Sequence, residues 1–187
     1  MRQSNTNIFF IGGIHGVGKT TLCELIADFF DIPTFSASAI IKAHTNNNFL
    51  DKIAHEPESN QSILIKGLGR LRADHQDLIL DGHFTIISGN GIYPISVNSF
   101  INMDLSALFL LTDTAERILK RRLTRDSNLC ISLSEVENHL KAERRHAEAV
   151  SKVLGLPLHL LDVNNPNCST KFKDILIEIF QPSPRQP

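Results

Sequence analysis

The chain contains no tryptophan, a single tyrosine and only three cysteines among its 187 residues. An odd number of cysteines without any Cys-x-x-Cys pair predicts neither a disulfide framework nor a zinc site, so we expect reduced thiols. No aromatic platform for stacking the bases of single-stranded nucleic acid accompanies the basic residues at 117–125 and 144–145. The formal net charge of −1 adds no global field that would attract nucleic acid or an anionic membrane. The composition therefore argues against both kinds of partner.

Long hydrophobic runs are also missing. The polar residues 1–7 and the apolar run at 8–11 resemble neither a secretory signal nor a membrane span, which predicts a cytoplasmic protein. Hydrophobic residues make up 42% of the chain, enough for a folded core at this length. We expect residues 1–181 to form a single domain and the proline-rich tail at 182–187 to be disordered.

What the chain does have is a phosphate-binding pattern near its beginning. Residues 13–20 read G-I-H-G-V-G-K-T and match G-x-x-x-x-G-K-[ST] at every fixed position. The glycines let the backbone curl around an anion, and the loop N–H groups then point at a triphosphate. Lys19 can reach the β- and γ-phosphates, and the Thr20 hydroxyl can ligate Mg²⁺. The predicted nucleotide-binding residues are Gly13, His15, Gly16, Val17, Gly18, Lys19, Thr20 and Thr21.

Strands and helices alternate along the rest of the chain. Short apolar runs predict strands at about 7–12, 34–36, 78–81, 107–111 and 156–161. Helical periodicity and caps predict helices at about 18–30, 38–42, 60–74, 94–101, 115–124, 132–154 and 168–180, with a loop or short helices at 44–60. Alternation with near-continuous apolar strands is typical of a parallel sheet. We therefore predict an α/β, three-layer P-loop NTPase fold, with a mostly parallel sheet of about five strands covered by helices on both faces.

Two polar residues lie at the end of the predicted strand at 78–81 and just beyond it. Asp81 lies where a carboxylate would hold Mg²⁺ through water, although a turn former is the simpler alternative. His83 comes two residues later and either contacts substrate or makes a structural hydrogen bond. In an open parallel sheet, ligands bind at the carboxyl ends of the strands, so both residues are expected near the phosphate loop.

Basic residues crowd the helix that ends near 125. Arg121, Arg122 and Arg125 are candidate catalytic residues, because guanidinium groups bind phosphate oxygens in a bidentate manner. The alternative is a solvated helix face. The segment at about 122–131 is predicted to be a lid that closes over the transferring phosphate. On the next long helix, Glu143 is expected to pair with a neighbouring arginine, Arg144 or Arg145.

Together these motifs resemble the nucleoside monophosphate kinase group of P-loop proteins, most closely the archaeal-type adenylate kinases. The resemblance rests on the loop at 13–21, on Asp81-Gly82-His83, on the turn at 91–94 and on the arginine-rich helix. It implies that the lid arginines hold the donor and acceptor phosphates, and that the acceptor binds at about 34–75. That family uses an arginine there, whereas this chain offers Lys42 and Lys52 as substitutes.

The resemblance implies ATP- and Mg²⁺-dependent phosphoryl transfer to a nucleoside monophosphate, most simply AMP. Two alternatives stay open on the sequence. One is a kinase of another small acceptor, such as a nucleoside or a sugar acid. The other is an ATPase or nucleotide-dependent switch that acts through a protein partner. The implied partners are ATP and a small phosphate acceptor, and the sequence leaves a homo-oligomer open.

Overall fold

The computed structural model of the protein describes residues 6–44, 57–89 and 91–180. Its strands are β1 Asn7–Gly12, β2 Thr34–Ser36, β3 Asp77–Asp81, β4 Thr85–Ser88, β5 Gly91–Pro94, β6 Ala107–Thr112 and β7 Leu158–Asp162. Its helices are α1 Lys19–Phe30, α2 Ala37–His44, α3 Pro57–Asp74, α4 Val97–Asn102, α5 Ala115–Arg125, α6 Leu133–Leu154 and α7 Cys168–Phe180.

Five of the strands form one sheet in the order β2-β3-β1-β6-β7, and each neighbouring pair runs parallel. Strands β4 and β5 form a separate antiparallel hairpin. The predicted fold class is therefore confirmed, including the five-stranded parallel sheet.

The sheet separates two hydrophobic cores. Successive side chains of a strand point to opposite faces, and β1 shows this clearly. Phe9 and Ile11 pack into the core that contains α1, α5 and α7, whereas Ile8 and Phe10 pack into the core that contains α3 and α4. Residues of α6 contribute to both cores. Because β1 and β3 are buried on both faces, their carboxyl ends are held rigidly at one edge.

The hairpin β4–β5 is the main feature that the sequence did not predict. Only the turn at 88–91 was expected, and 94–101 was assigned to a helix. Pro94 instead pairs with Thr85 at the end of the hairpin, and Ser96 has an extended backbone before α4 begins at Val97. These strands are only four residues long and partly exposed, so their apolar alternation is too short to be distinctive.

Other boundaries shift by a few residues. Helix α3 begins at Pro57, so the end of the expected loop at 44–60 is helical, and β7 begins two residues later than expected. Most of that loop and the tail at 182–187 lie outside the described residues. The single-domain boundary at 181 stays a prediction. Within the described ranges, no helix is both long and apolar enough to cross a membrane.

Candidate active site

The phosphate loop connects β1 to α1 and curls as its glycines allow. Gly13, Gly16 and Gly18 have φ angles of +147°, +82° and +112°, which side chains other than glycine rarely adopt. Helix α1 begins at Lys19, and no side chain caps its first turn. The first backbone N–H groups of the helix therefore remain available to an anion, which the helix dipole also favours.

Lys19 is buried against its own loop. Its side chain is 8% exposed, and its Nζ atom donates to the carbonyl of Gly13 at 2.5 Å and to that of Ile14 at 3.4 Å. The same nitrogen lies 3.9 Å from a carboxylate oxygen of Asp81. Burial lowers the pKa of Lys19, and the nearby carboxylate of Asp81 opposes that shift. The ammonium group is thus hydrogen-bonded at the base of the loop, close to the position that phosphates would take.

Asp81 reaches the loop because β3 pairs in parallel with β1. The register places Asp81 beside Ile11, two residues before Gly13. One of its carboxylate oxygens is buried and has no hydrogen-bond partner. Burial raises the pKa of Asp81, and the charge of Lys19 lowers it again. The same oxygen lies 3.9 Å from the Nζ atom of Lys19, and because it makes no hydrogen bond it is suited to hold an ordered water or a cation.

The residues present fit a magnesium ion that is held partly by substrate. Thr20 and Asp81 border the same cavity. In the part of the chain that the structure describes, no cluster of three or more His, Cys, Asp or Glu side chains could form a cage of its own for a metal. Mg²⁺ usually takes only one or two protein oxygens and completes its octahedron with water and phosphate. A hydroxyl and one carboxylate at the phosphate loop match that need.

Two histidines face each other across the loop. The rings of His15 and His83 lie 4.3 Å apart between centroids and are tilted by 53°. Burial, Lys19 and His15 lower the pKa of His83 to about 2, and partial burial, Lys19 and Arg122 lower that of His15. These shifts favour the neutral form of both rings. Both border the cavity, where a neutral imidazole can donate or accept a hydrogen bond.

The arginines of α5 divide into two groups. Arg121 donates to the carbonyls of Gly16 at 2.6 Å and Val17 at 3.0 Å, and Arg122 donates to that of His15 at 2.8 Å. These two side chains hold the outer surface of the phosphate loop. Of the three predicted catalytic arginines, Arg125 is the one that borders the cavity.

The crowding of positive charge on α5 is relieved by a buried carboxylate. The side chain of Asp113 is fully buried and pairs with Arg121, and it lies 3.7 Å from the Nε atom of Arg117. Asn164, in the turn after β7, also donates to Asp113. The protein itself therefore supplies an anionic partner for part of this cluster. A phosphate that binds these arginines would have to bind beside the carboxylate of Asp113 or displace it.

Sequence reasoning was wrong about Glu143. It was expected to pair with Arg144 or Arg145, but Arg144 binds Glu148 at 2.9 Å. Glu143 is instead 1% exposed and points inward. A signal was present in the sequence, because the inward face of α6 has helical spacing. That face consists of Val136, His139, Glu143, Ala147 and Val150.

The carboxylate of Glu143 accepts hydrogen bonds from three backbone N–H groups. The donors are Gly13 at 3.1 Å, Phe84 at 2.9 Å and Thr85 at 2.7 Å. The Thr85 hydroxyl is a fourth partner, and His139 lies 3.1 Å from that hydroxyl. One side chain thus connects the phosphate loop to the segment that follows Asp81.

A cavity of about 970 Å³ opens in front of the phosphate loop. The loop forms one side, and the opposite side is built by α2, α3, the hairpin β4–β5 and α4. Its apolar wall includes Phe10, Ile41, Leu64, Ile65, Ile86 and Tyr93. Its polar lining includes Ser36, Ser38, Asn60, Gln61, Ser62, Lys66, Asn98 and Asn102. The cavity is large enough for a second small molecule beside the phosphates of a nucleotide.

The lysines that were expected to bind the acceptor do not meet at this cavity. Lys42 is exposed on α2 and does not border it, and Lys52 lies outside the described residues. Lys66 of α3, which the sequence analysis did not single out, borders the cavity. Arg72 is turned to the carbonyl of Met103, to which it donates at 2.5 Å. The face that each residue presents depends on how α2 and α3 are rotated against the sheet.

Comparison with known proteins agrees with this geometry. Residues 12–131 match the protein family described as AAA domain, and the chain belongs to that family. A curated cytidylate kinase from Methanothermobacter thermautotrophicus is 30% identical over 83 residues, which are 42% of this chain and 52% of that protein. The chain thus matches about half the length of this curated relative.

Two solved structures share the fold. A gluconokinase from Sinorhizobium meliloti 1021 superposes with a TM-score of 0.54 and 13% identity, over 94% of this chain and 98% of that chain. TT1252 from Thermus thermophilus superposes with a TM-score of 0.57 and 16% identity, over 94% of this chain and 99% of that chain. Both superpositions agree with the predicted fold class.

Proposed function

We propose that the protein transfers the γ-phosphoryl group of ATP to a small acceptor, with Mg²⁺ as cofactor. The observation that carries the proposal is a single cavity whose lining includes Lys19, Thr20 and Asp81 as well as residues of α2, α3, the hairpin β4–β5 and α4. A hydrolase needs room for water alone, whereas a kinase needs room for a second substrate. Kinase names among the relatives add support.

The residues have distinct roles in this proposal. The backbone N–H groups of the loop and the start of α1 bind the phosphates, and Lys19 moves from the carbonyl of Gly13 to the γ-phosphate. Thr20 and Asp81 would hold Mg²⁺, which would supply positive charge to neutralise the charge that develops during the transfer. Arg125 closes over the site with the lid at about 122–131, and Arg121 and Arg122 keep the loop in shape.

For the acceptor we propose a nucleoside monophosphate, with AMP as the first candidate. The cytidylate kinase match and the likeness to archaeal-type adenylate kinases support this class. The apolar wall at Ile41, Leu64 and Tyr93 suits a flat base, and the hydroxyl and amide groups suit a ribose. Lys66 is the cation in that half of the cavity that could meet the acceptor phosphate.

One observation favours a second candidate, a nucleoside or a sugar acid. Of the described residues that border the cavity, only Lys19, Lys66 and Arg125 are lysines or arginines, and two of these serve the donor phosphates. The acceptor half is otherwise neutral and rich in hydroxyl and amide groups. A neutral or singly charged acceptor would match that lining.

The test is ADP formation from ATP–Mg²⁺ with each common nucleoside monophosphate, nucleoside and sugar acid in turn. Lys19→Ala is the blank, and Lys152→Ala, an exposed lysine near the end of α6, is the matched control. We expect at least about a hundredfold stimulation by one acceptor, and its loss in Lys19→Ala only. Slow ADP release that no acceptor stimulates would instead indicate an ATPase or a switch.

A further inference from the structure

One buried acid lies behind the phosphate loop and does not border the cavity. Glu143 of α6 is 1% exposed, and within the described ranges no lysine or arginine forms an ion pair with it. A buried charge without a counter-ion is costly unless several hydrogen bonds stabilise it. The bonds that Glu143 makes therefore indicate why an acid occupies this position.

Four donors surround the carboxylate. One oxygen accepts the N–H groups of Gly13 and Phe84, and the other accepts the N–H group and the hydroxyl of Thr85. Because that hydroxyl donates to Glu143, it can accept from the Nε2 atom of His139, which lies 3.1 Å away. Burial raises the pKa of Glu143, and the hydrogen bonds from Thr85 and Phe84 act in the opposite direction. Three of the four donors are backbone N–H groups, which cannot accept a proton in return, so they favour the ionised form.

These bonds connect the two segments that carry the reactive groups. Gly13 begins the phosphate loop, and its carbonyl holds Lys19. Phe84 and Thr85 follow directly after the segment from Asp81 to His83. We propose that Glu143 is a positioning residue that holds these two segments in register, so that Lys19 and Asp81 face one ATP–Mg²⁺ complex. The inference rests on the proposed function for its role in turnover, but its effect on ATP binding can be measured separately.

Electrostatic repulsion and positioning predict opposite changes in ATP affinity when the charge of Glu143 is removed. The charge of Glu143 acts on Lys19, and a negative charge near a phosphate site repels ATP. If charge alone mattered, Glu143→Gln would bind ATP more tightly. A glutamine keeps the shape but replaces one acceptor oxygen with an NH₂ group, so in either orientation at least one backbone N–H group loses its partner. If positioning dominates, the same variant binds ATP more weakly.

The experiment is calorimetric titration of the full chain with ATP–Mg²⁺, or with a non-hydrolysable ATP analogue, at a temperature well below the unfolding midpoint. We expect Glu143→Gln to bind at least about tenfold more weakly, as supporting residues of ligand sites do. The matched control is Glu148→Gln on the same helix, which loses only its pair with Arg144 and should bind like the wild type. Unchanged or tighter binding by folded Glu143→Gln would overturn the proposal, even if its unfolding midpoint were lower.

A second variant keeps the test decisive if Glu143→Gln does not fold. Thr85→Val retains the shape and the backbone N–H group but removes the hydroxyl between Glu143 and His139. We expect severalfold weaker ATP binding, with Thr170→Val on α7 as the exposed control. Wild-type affinity in Thr85→Val would then refute the inference. A wild-type protein that binds ATP but transfers to no acceptor would refute the proposed function and leave this comparison intact.

Discussion

Gly12, the last residue of β1, has no space for an added methyl group. A Cβ atom there would lie 2.2 Å and 2.5 Å from two ring carbons of Phe84. Phe84 is fully buried, with its ring 5.0 Å from that of Phe10 and 5.3 Å from that of Phe100, so it has no room to retreat. We predict that Gly12→Ala lowers the free energy of unfolding by about 2–3 kcal/mol, the usual cost of overpacking a core. For a chain of this length that corresponds to a fall in Tm of roughly 4–12 °C.

The assay is thermal unfolding followed by circular dichroism, with Gly69→Ala as the matched control. Nothing lies within 4 Å of a Cβ atom at Gly69, which is inside α3. Alanine there should stabilise the helix by about 0.5–1 kcal/mol. Gly12→Ala should also weaken ATP binding, because a displaced Phe84 moves the N–H group that binds Glu143. A Gly12→Ala midpoint equal to or above that of the wild type would refute this reasoning.

Three further predictions concern the site. Arg125→Ala should lower turnover by about tenfold or more with a smaller change in ATP affinity, because lid charges act mainly in the transition state. Turnover is measured by steady-state kinetics and affinity by titration, and equal effects on both would contradict this role. Asp81→Asn should raise the Mg²⁺ concentration needed for half-maximal activity by about tenfold or more, and an unchanged magnesium titration would remove Asp81 from the metal site. Burial, Arg122, His15 and Lys19 lower the pKa of His139 to about 4, so the unfolded chain binds a proton there that the folded one refuses. The free energy of unfolding should therefore fall as pH decreases from about 6.5 towards 4. His139→Gln should make this pH dependence shallower in thermal unfolding, and an equally steep dependence would exclude His139 as its source.

The phosphate loop could be predicted from sequence because its chemistry is local. Its glycines, Lys19 and Thr20 stand at fixed spacing within a few residues, and the strand and helix on either side have clear periodicity. Asp81 could be predicted as well, because parallel strands end at the same edge of a sheet. Its position beside Ile11 in the register agrees with that expectation.

The remaining features depend on packing between distant segments. Glu143 and Gly13 are 130 positions apart, and although the helical spacing of α6 places Glu143 on its inward face, no local pattern identifies the donors that it meets there. The functions of Arg121 and Arg122 depend on which side of α5 meets the loop carbonyls. The position of Lys42 likewise depends on how α2 is rotated. Such rotations follow from the summed burial of whole helices, which single residues do not reveal.

The most direct test of the account is to follow the γ-phosphoryl group itself. ATP–Mg²⁺ and an acceptor, AMP first, are incubated with the wild type and with Lys19→Ala, and the products are identified by phosphorus NMR. We predict two ADP for each ATP consumed when AMP is the acceptor, and one ADP with one phosphorylated acceptor otherwise. We expect little inorganic phosphate, and no transfer in Lys19→Ala. Inorganic phosphate as the sole product with every acceptor tried would contradict the assignment as a phosphotransferase.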